Sequence, residues 1–278
     1  MKIISFVRKF KNKKGNIIDN SKKLYKRKEF LGSIPEMKNS RIIFNGKNNI
    51  IFCEDGVKLV DCVINFNADN SLIYFSKNSH SYRVNISIYN NSTCYFGKNI
   101  YFNDVCTFIL SEEKNIILGD NCLISLNVWF RVADPHLIYC SKSKKRLNFS
   151  KSIYVGDHVW IGQNVFLLKG CIIGSGSILA ANSVVSNIVI SSNCIYGGNP
   201  VKKIKSDIFW DEKVVHRWKS LDTYNNLTMK TNKYVYHLTK DSINFEKLDS
   251  MLCSTDNCKI KIEILKNISI KKNRFYIE

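Results

Sequence analysis

From Val155 to Tyr196 the chain reads VGDHVW IGQNVF LLKGCI IGSGSI LAANSV VSNIVI SSNCIY, seven consecutive blocks of six residues without a gap. The first position is aliphatic in six blocks, at Val155, Ile161, Leu167, Ile173, Leu179 and Val185. The second is small in six, at Gly156, Gly162, Gly174, Ala180, Ser186 and Ser192. The fifth is compact at Val159, Val165, Cys171, Ser177, Ser183 and Val189, and largest at Ile195. A period of six matches neither the 3.6 of an amphipathic helix nor the simple alternation of a half-buried strand, because turn residues recur together with the apolar ones. It matches a coil of flat faces, each a short strand followed by a turn. The aliphatic residue points to the axis, and the small residue lets the chain bend at the corner. Stacking such coils buries the aliphatic ladder, so the fold class is mainly β, a parallel β-helix.

The same phase appears upstream in LGDNCL and ISLNVW, Leu118 to Trp129, and more loosely in FGKNIY and FNDVCT, Phe96 to Thr107. Ile50 to Phe66 keeps strand-like alternation but only an imperfect hexad, and reads as earlier, irregular coils. Cys122 and Cys171 occupy the fifth hexad position, which makes packing their role and a nucleophilic cysteine improbable. Between Phe130 and Val155 the phase breaks, so residues near 131 to 152 leave the coil as a loop, the kind of segment in which binding and catalytic groups concentrate.

The flanks bound the rest. With 278 residues and only three Pro, one large body with two appendages is expected: a basic segment at 1–40, the β-helix at 41–205 and an extension at 206–278. In the extension, IFWDEKVVHRWKSL, Ile208 to Leu221, has helical apolar spacing, while CKIKIEILKNISIKK, Cys258 to Lys272, alternates like a strand, so the extension reads as α+β. This tail could cover a subunit surface, bind acceptor or dock to a membrane. No run of about 18 uncharged apolar residues occurs, and the opening MKIISFVRKFKNKK is too short in apolar residues for a secretory core. The expectation is a chain neither exported by a standard signal nor membrane-spanning, with its ten cysteines reduced and mostly buried.

Lys and Arg number 42 against 23 Asp and Glu, a net charge of +19. Such a charge invites nucleic acid, an anionic membrane surface or an acidic glycan, while the joint abundance of Lys, Asn and Ile offers a compositional explanation that needs no anionic partner. No recognised nucleic-acid motif, Gly-rich nucleotide loop or zinc-spaced His/Cys cluster is present, so neither nucleic acid nor a metal is expected.

The residues from Leu118 to Lys205 resemble the left-handed parallel β-helix acyltransferases, the hexapeptide-repeat family that uses acetyl-CoA, and the ending IYGGNPVKKIK is similar to that family's closing segment. RVADPHLIY followed by IYVGDHVWIGQNV resembles the bacterial sialic-acid and polysialic-acid capsule O-acetyltransferases. The resemblance implies an acetyl-CoA-dependent O-acetyltransferase acting on a sialylated cell-surface glycan, and a homotrimer with coenzyme A between subunits; Ser/Thr-rich turns, the missing export signal and the use of acetyl-CoA point to the cytoplasm, at the inner membrane face. His136 matches the loop histidine that serves as general base, a role suited to imidazole. Trp160, in the outward-facing last hexad position 160 − 136 = 24 residues later, matches a tryptophan that lines the active site; an interface aromatic without a catalytic part is the alternative. Gly162, Gln163, Ala181 and Ser186 fall at cofactor-lining places and Lys202 and Lys205 at basic places near the nucleotide phosphates. For the acceptor, Arg131, Asp134, Tyr139 and the run Lys142 to Ser152 form a basic rim beside His136, or an ordinary solvated loop. His158 reads as solvent-facing or structural. Acetylation of another capsule or lipopolysaccharide sugar, and a non-catalytic β-helix that only binds, remain alternatives.

Overall fold

The computed structural model describes residues 16–18, 28–271 and 273–278, so most of the basic segment expected at 1–40 lies outside the described residues. The chain forms a left-handed parallel β-helix of about seven coils with three faces. The fifth coil shows the plan: strand Trp129–Arg131 on the first face, Ile153–Val155 on the second and Trp160–Ile161 on the third, with the loop 132–152 at the first corner. Each strand pairs in parallel with the same face of the next coil, Phe130 with Leu167, Val155 with Ile173 and Ile161 with Leu179. The parallel stack begins earlier than residue 41, because strands Phe30–Gly32 and Glu36–Lys38 already pair with Ile50–Cys53 and Lys58–Val60.

The six aliphatic first positions, Val155 to Val185, are all fully buried. They form the ladder that removes apolar surface from water, at about 25 cal/mol per Å². Cys122 and Cys171, at fifth positions, are buried beside this ladder, burial pushes both thiols up, Cys171 to about 12, and all ten cysteines are free. The upstream hexads are imperfect because the coils there are longer. Ile64 pairs with Ile86, a repeat of 86 − 64 = 22 residues, whereas Ile161 pairs with Leu179, a repeat of 179 − 161 = 18. The wider coils are filled by stacked rings, Phe44 on Phe66 at 4.8 Å, Phe75 on Phe96 at 5.1 Å and Phe108 on Phe130 at 4.7 Å.

The gapless cut of the hexads fails once. Ile173 pairs with Ile190, a repeat of 190 − 173 = 17, so the last coil is one residue short. From there the phase slips: Ile190 and Tyr196, which the cut places outward, are buried, and Val189 is exposed.

The extension departs further from its reading. Among the described residues after Lys205 there are helices α1 (Ser220–Asn225), α2 (Phe245–Cys253) and α3 (Cys258–Ser269), and no strand. The segment 258–272, which alternates like a strand, is thus mostly helix. Asn257 caps it by accepting from the Lys259 N–H at 3.0 Å, and Cys258, Ile262, Leu265 and Ile268 are buried at helical spacing while Ile260 is left exposed. The helical spacing wins because α2 and α3 lie on the outside of the second face, against Tyr74, Tyr95, Ile117 and Tyr154. Conversely, residues 208–219, read as helical, are not helix, because Trp210 among them docks on the β-helix instead.

Candidate active site

The loop that carries His136 is a pinned hairpin. Leu147 N–H donates to the Ile138 carbonyl at 2.8 Å and Cys140 N–H to Lys145 at 2.9 Å, which puts Tyr139 opposite Arg146. At its root Asn148, buried, acts as hub: its amide donates to the His136 carbonyl at 2.7 Å and to Asp134 at 3.1 Å, and accepts from Ile138 N–H at 2.9 Å. Asp134 also binds Lys169 of the next coil at 2.5 Å, and this ammonium holds the Asp134 carboxyl below the usual carboxylate range. Arg131 donates to the Ala133 carbonyl at 3.1 Å. His136 is exposed, its backbone fixed and its imidazole presented to solvent at the first corner. The loop returns to the second face where Asp249 of α2 accepts from Ser152 at 2.6 Å, Tyr154 at 2.5 Å and Asn115 at 2.9 Å.

Glu112 fastens the hairpin from the preceding coil through Arg146 at 2.8 Å and through Ser150, and those hydrogen bonds hold its carboxyl down at about 2. A depressed carboxyl contributes stability above its ordinary value of 4.5 and loses it as the pH falls toward about 2. Amide exchange in residues 137–149, corrected for the intrinsic pH dependence, is therefore expected to accelerate between about pH 4.5 and 2.5. Glu112→Gln should reproduce that acceleration at neutral pH, and equal protection in wild type and variant would refute the role.

Trp160 opens the third-face strand with its ring outward, 40% exposed, and its Nε1–H donates to Ser125 Oγ at 3.4 Å. Its neighbour Trp210 lies at 6.0 Å. His158 is not solvent-facing. It occupies a left-handed corner position, φ 54°, and is buried between the rings of Trp210 at 3.9 Å and Tyr234 at 4.3 Å. Burial lowers its pKa, which keeps the ring neutral.

Among the cofactor candidates the structure brings together Gly162, Gln163 and Ala181 at the corner after the third face. Asn182 N–H donates to the Gln163 carbonyl at 2.8 Å, and a Cβ on Gly162 would stand 2.6 Å from the Ala181 nitrogen. The corner is stiffened by an asparagine ladder, Asn127 to Asn164 to Asn182, at 3.0 Å each, with all three residues at positive φ. Lys202, exposed, extends this edge beside Gly197. Ser186 and Lys205 fall elsewhere: Ser186 sits at the first corner, one face further on, and Lys205 pairs with Ile195 at the opposite end of its strand. Nor does one chain join His136 to Trp160, since the first corner stands opposite the third face. Asn148, Lys169, Glu112, Asp249 and Trp210 were not singled out from the sequence, and no spacing marks them, because each acts on a residue distant in the chain. Among the described residues no three His, Cys, Asp or Glu side chains group as a metal site would require.

Residues 152–187 match the family model for the bacterial transferase hexapeptide, six repeats. The chain is 33% identical over 172 residues to a polysialic acid O-acetyltransferase of Neisseria meningitidis, covering 62% of this chain and 79% of that protein. It is also 33% identical over 51 residues to one from Escherichia coli O1:K1 / APEC, covering 18% of this chain and 17% of that protein. The crystal structure of the polySia specific acetyltransferase NeuO superposes with a TM-score of 0.59 at 27% identity, covering 71% of this chain and 92% of that one. The polysialic acid O-acetyltransferase OatWY shares the fold, with a TM-score of 0.52 at 21% identity over 71% of this chain and 97% of that one.

Proposed function

The chain belongs to the hexapeptide-repeat acyltransferases, and from that premise we propose that it transfers acetyl from acetyl-CoA to a hydroxyl of a sialic-acid-containing cell-surface glycan. The acceptor class is supported by the likeness to the meningococcal polysialic acid O-acetyltransferase, and the chemistry by a single observation: a loop histidine whose backbone is locked by Asn148 and by the Asp134–Lys169 pair while its ring stays open to solvent. His136 takes the proton of the acceptor hydroxyl as that oxygen attacks the thioester carbon. The tetrahedral adduct collapses, the carbon–sulfur bond breaks, and coenzyme A leaves with the proton returned by His136. Trp160 walls the site and can donate its indole N–H near the departing sulfur. Gly162, Gln163 and Ala181 form a small-residue edge along which a pantetheine arm can approach the backbone, and Lys202 offers a point charge to phosphate.

Because His136 and Trp160 sit on opposite sides of one chain, a site using both is completed by a second copy. A homotrimer with coenzyme A between subunits supplies that geometry, and the exposed apolar ridge of the hairpin, Leu137, Ile138, Leu147 and Phe149, is suited to face a neighbour. Arg131 and the lysines of the loop supply positive charge for a carboxylate-bearing sugar, with Tyr139 beside them. In this reading the β-helix from the strands at 30–38 to residue 205 is the acyltransferase unit, the residues before it a basic lead segment and 206–278 an extension that braces the loop. Use of acetyl-CoA supports a cytoplasmic location, at the inner membrane face where glycans are built; among the described residues no helix is long and apolar enough to cross a membrane.

The test is thiol release from acetyl-CoA with free sialic acid, sialylated oligosaccharides and neutral sugars as acceptors. Release that requires a sialylated acceptor is the expected result. Release with neutral sugars alone would keep the transfer chemistry and remove the acceptor, whereas none with any acceptor would favour a β-helix that binds without catalysis.

A further inference from the structure

The third face carries a groove that the loop does not use. Its floor is formed by Tyr101 and Leu123, outward side chains of successive coils paired in register, and Leu123 pairs in turn with Trp160, whose indole adjoins the groove at Ser125. From Tyr101 to Trp160 the row therefore runs about 10 Å along the axis, two steps of roughly 4.8 Å. His80 closes the far end, its ring edge-on to Tyr101 at 5.2 Å. The wall is the extended segment of the C-terminal extension, and it is docked firmly. Trp210 stacks on His158, donates its Nε1–H to the His158 carbonyl at 2.9 Å, and through its own carbonyl contacts His158 Nε2 at 3.1 Å. From Trp210 the segment carries Glu212 and His216 along the floor, enclosing about 540 Å³, within the roughly 300–1,000 Å³ of small-ligand sites.

The lining chooses among ligands. Tyr101, 41% exposed, presents a ring face, Asn103 and Asn121 present amides, and Glu212 a carboxylate that can accept two hydroxyls, while no Lys or Arg lines the groove among the described residues. A charged sugar beside Glu212 would meet like charge without a fixed cation, whereas a hydroxyl-rich neutral ring is matched on both its apolar face and its hydroxyls. We propose that this groove is an acceptor subsite that holds the uncharged sugar units attached to the charged sugar being acetylated at Trp160. The proposal rests on the reading that acetyl goes to a glycan hydroxyl. It gives the C-terminal extension a direct part in acceptor choice, since the groove exists only where that segment roofs the third face.

The experiment is saturation-transfer NMR on the full chain with a probe in which one terminal sialic acid is joined to a neutral disaccharide, backed by titration for Kd. The expected result is saturation of the neutral-ring protons as well as those of the sialic acid. In Tyr101→Ala the neutral-ring signals should be lost and Kd raised about tenfold, the scale of one lost ring contact. Binding of free sialic acid should be unchanged in that variant. Glu212→Gln should show a smaller rise in the same direction and guards against misfolding of the first variant. Saturation confined to the sialic acid, or neutral-ring saturation that survives both substitutions, would overturn the groove while leaving the glycan acceptor intact. Absence of saturation on any part of the probe would overturn both readings.

Discussion

Alanine in place of His136 is expected to lower acetyl-dependent thiol release by about 100- to 10,000-fold, the range for a lost general base. The fold should survive, because the contacts that fix this part of the loop run through the His136 carbonyl and through Asp134, not through the imidazole. An exposed side chain away from the core changes stability by no more than about 0.5 kcal/mol, so the thermal transition of the variant should match wild type. The loss should also appear in kcat, with KM for acetyl-CoA little changed, because an interaction made only in the transition state does not alter ground-state binding. A variant that keeps its rate to within about threefold would remove His136 from the chemistry. It would turn attention to the loop as a purely structural insert.

Arg274→Ala is expected to cost about 3–5 kcal/mol, the range for removing one partner of a buried ion pair. Arg274 is fully buried and its guanidinium meets Asp157 at 2.8 Å, Asp120 at 2.7 Å and the Ile268 carbonyl at 3.0 Å. Burial pushes the Asp157 carboxyl up, and the guanidinium beside it pulls it back toward ionisation. Without Arg274 two carboxylates at one corner would face each other in a desolvated site. Both also hold the turn backbone, Asp157 accepting from Asp120 N–H at 2.7 Å and Asp120 from Lys98 N–H at 2.8 Å. The penalty therefore falls on the coil corner and on the chain end together. Denaturant unfolding should show a lower midpoint, and amide exchange should show α3 opening before the β-helix, since Arg274 ties the last turn of that helix to the corner. A loss under about 1 kcal/mol would mean that the two carboxylates are solvated or protonated in the native state.

Those two sites differ in how far they can be read from residues alone. His136 lies in a loop visible as a break in the hexad phase, and its resemblance to a known loop histidine marks it. Arg274 lies 274 − 157 = 117 residues from its partner, in a tail without repeat, and nothing local announces the pairing. The same holds within the candidate site. Trp160 is legible as an outward aromatic because hexad position alone sets its direction. Asn148 is a buried hub only because the hairpin folds it back under His136.

By itself the sequence determined the β-helix from Val155 onward, the inward ladder, the outward Trp160 and the place where the loop leaves, because in a solenoid the side-chain environment repeats with the chain and a period states it directly. Tertiary structure alone decided what lies between elements of unrelated phase. It made 258–269 a helix despite alternating apolar residues, since the outer aromatics of the second face offered a surface that helical spacing covers. It buried His158 between two rings of the extension, shortened the last coil to 17 residues, and set Ser186 and Lys205 away from the edge shared by Gly162, Gln163 and Ala181. Each outcome depends on which corner or face receives a residue, and one missing or added residue in a coil shifts that assignment without altering the local pattern.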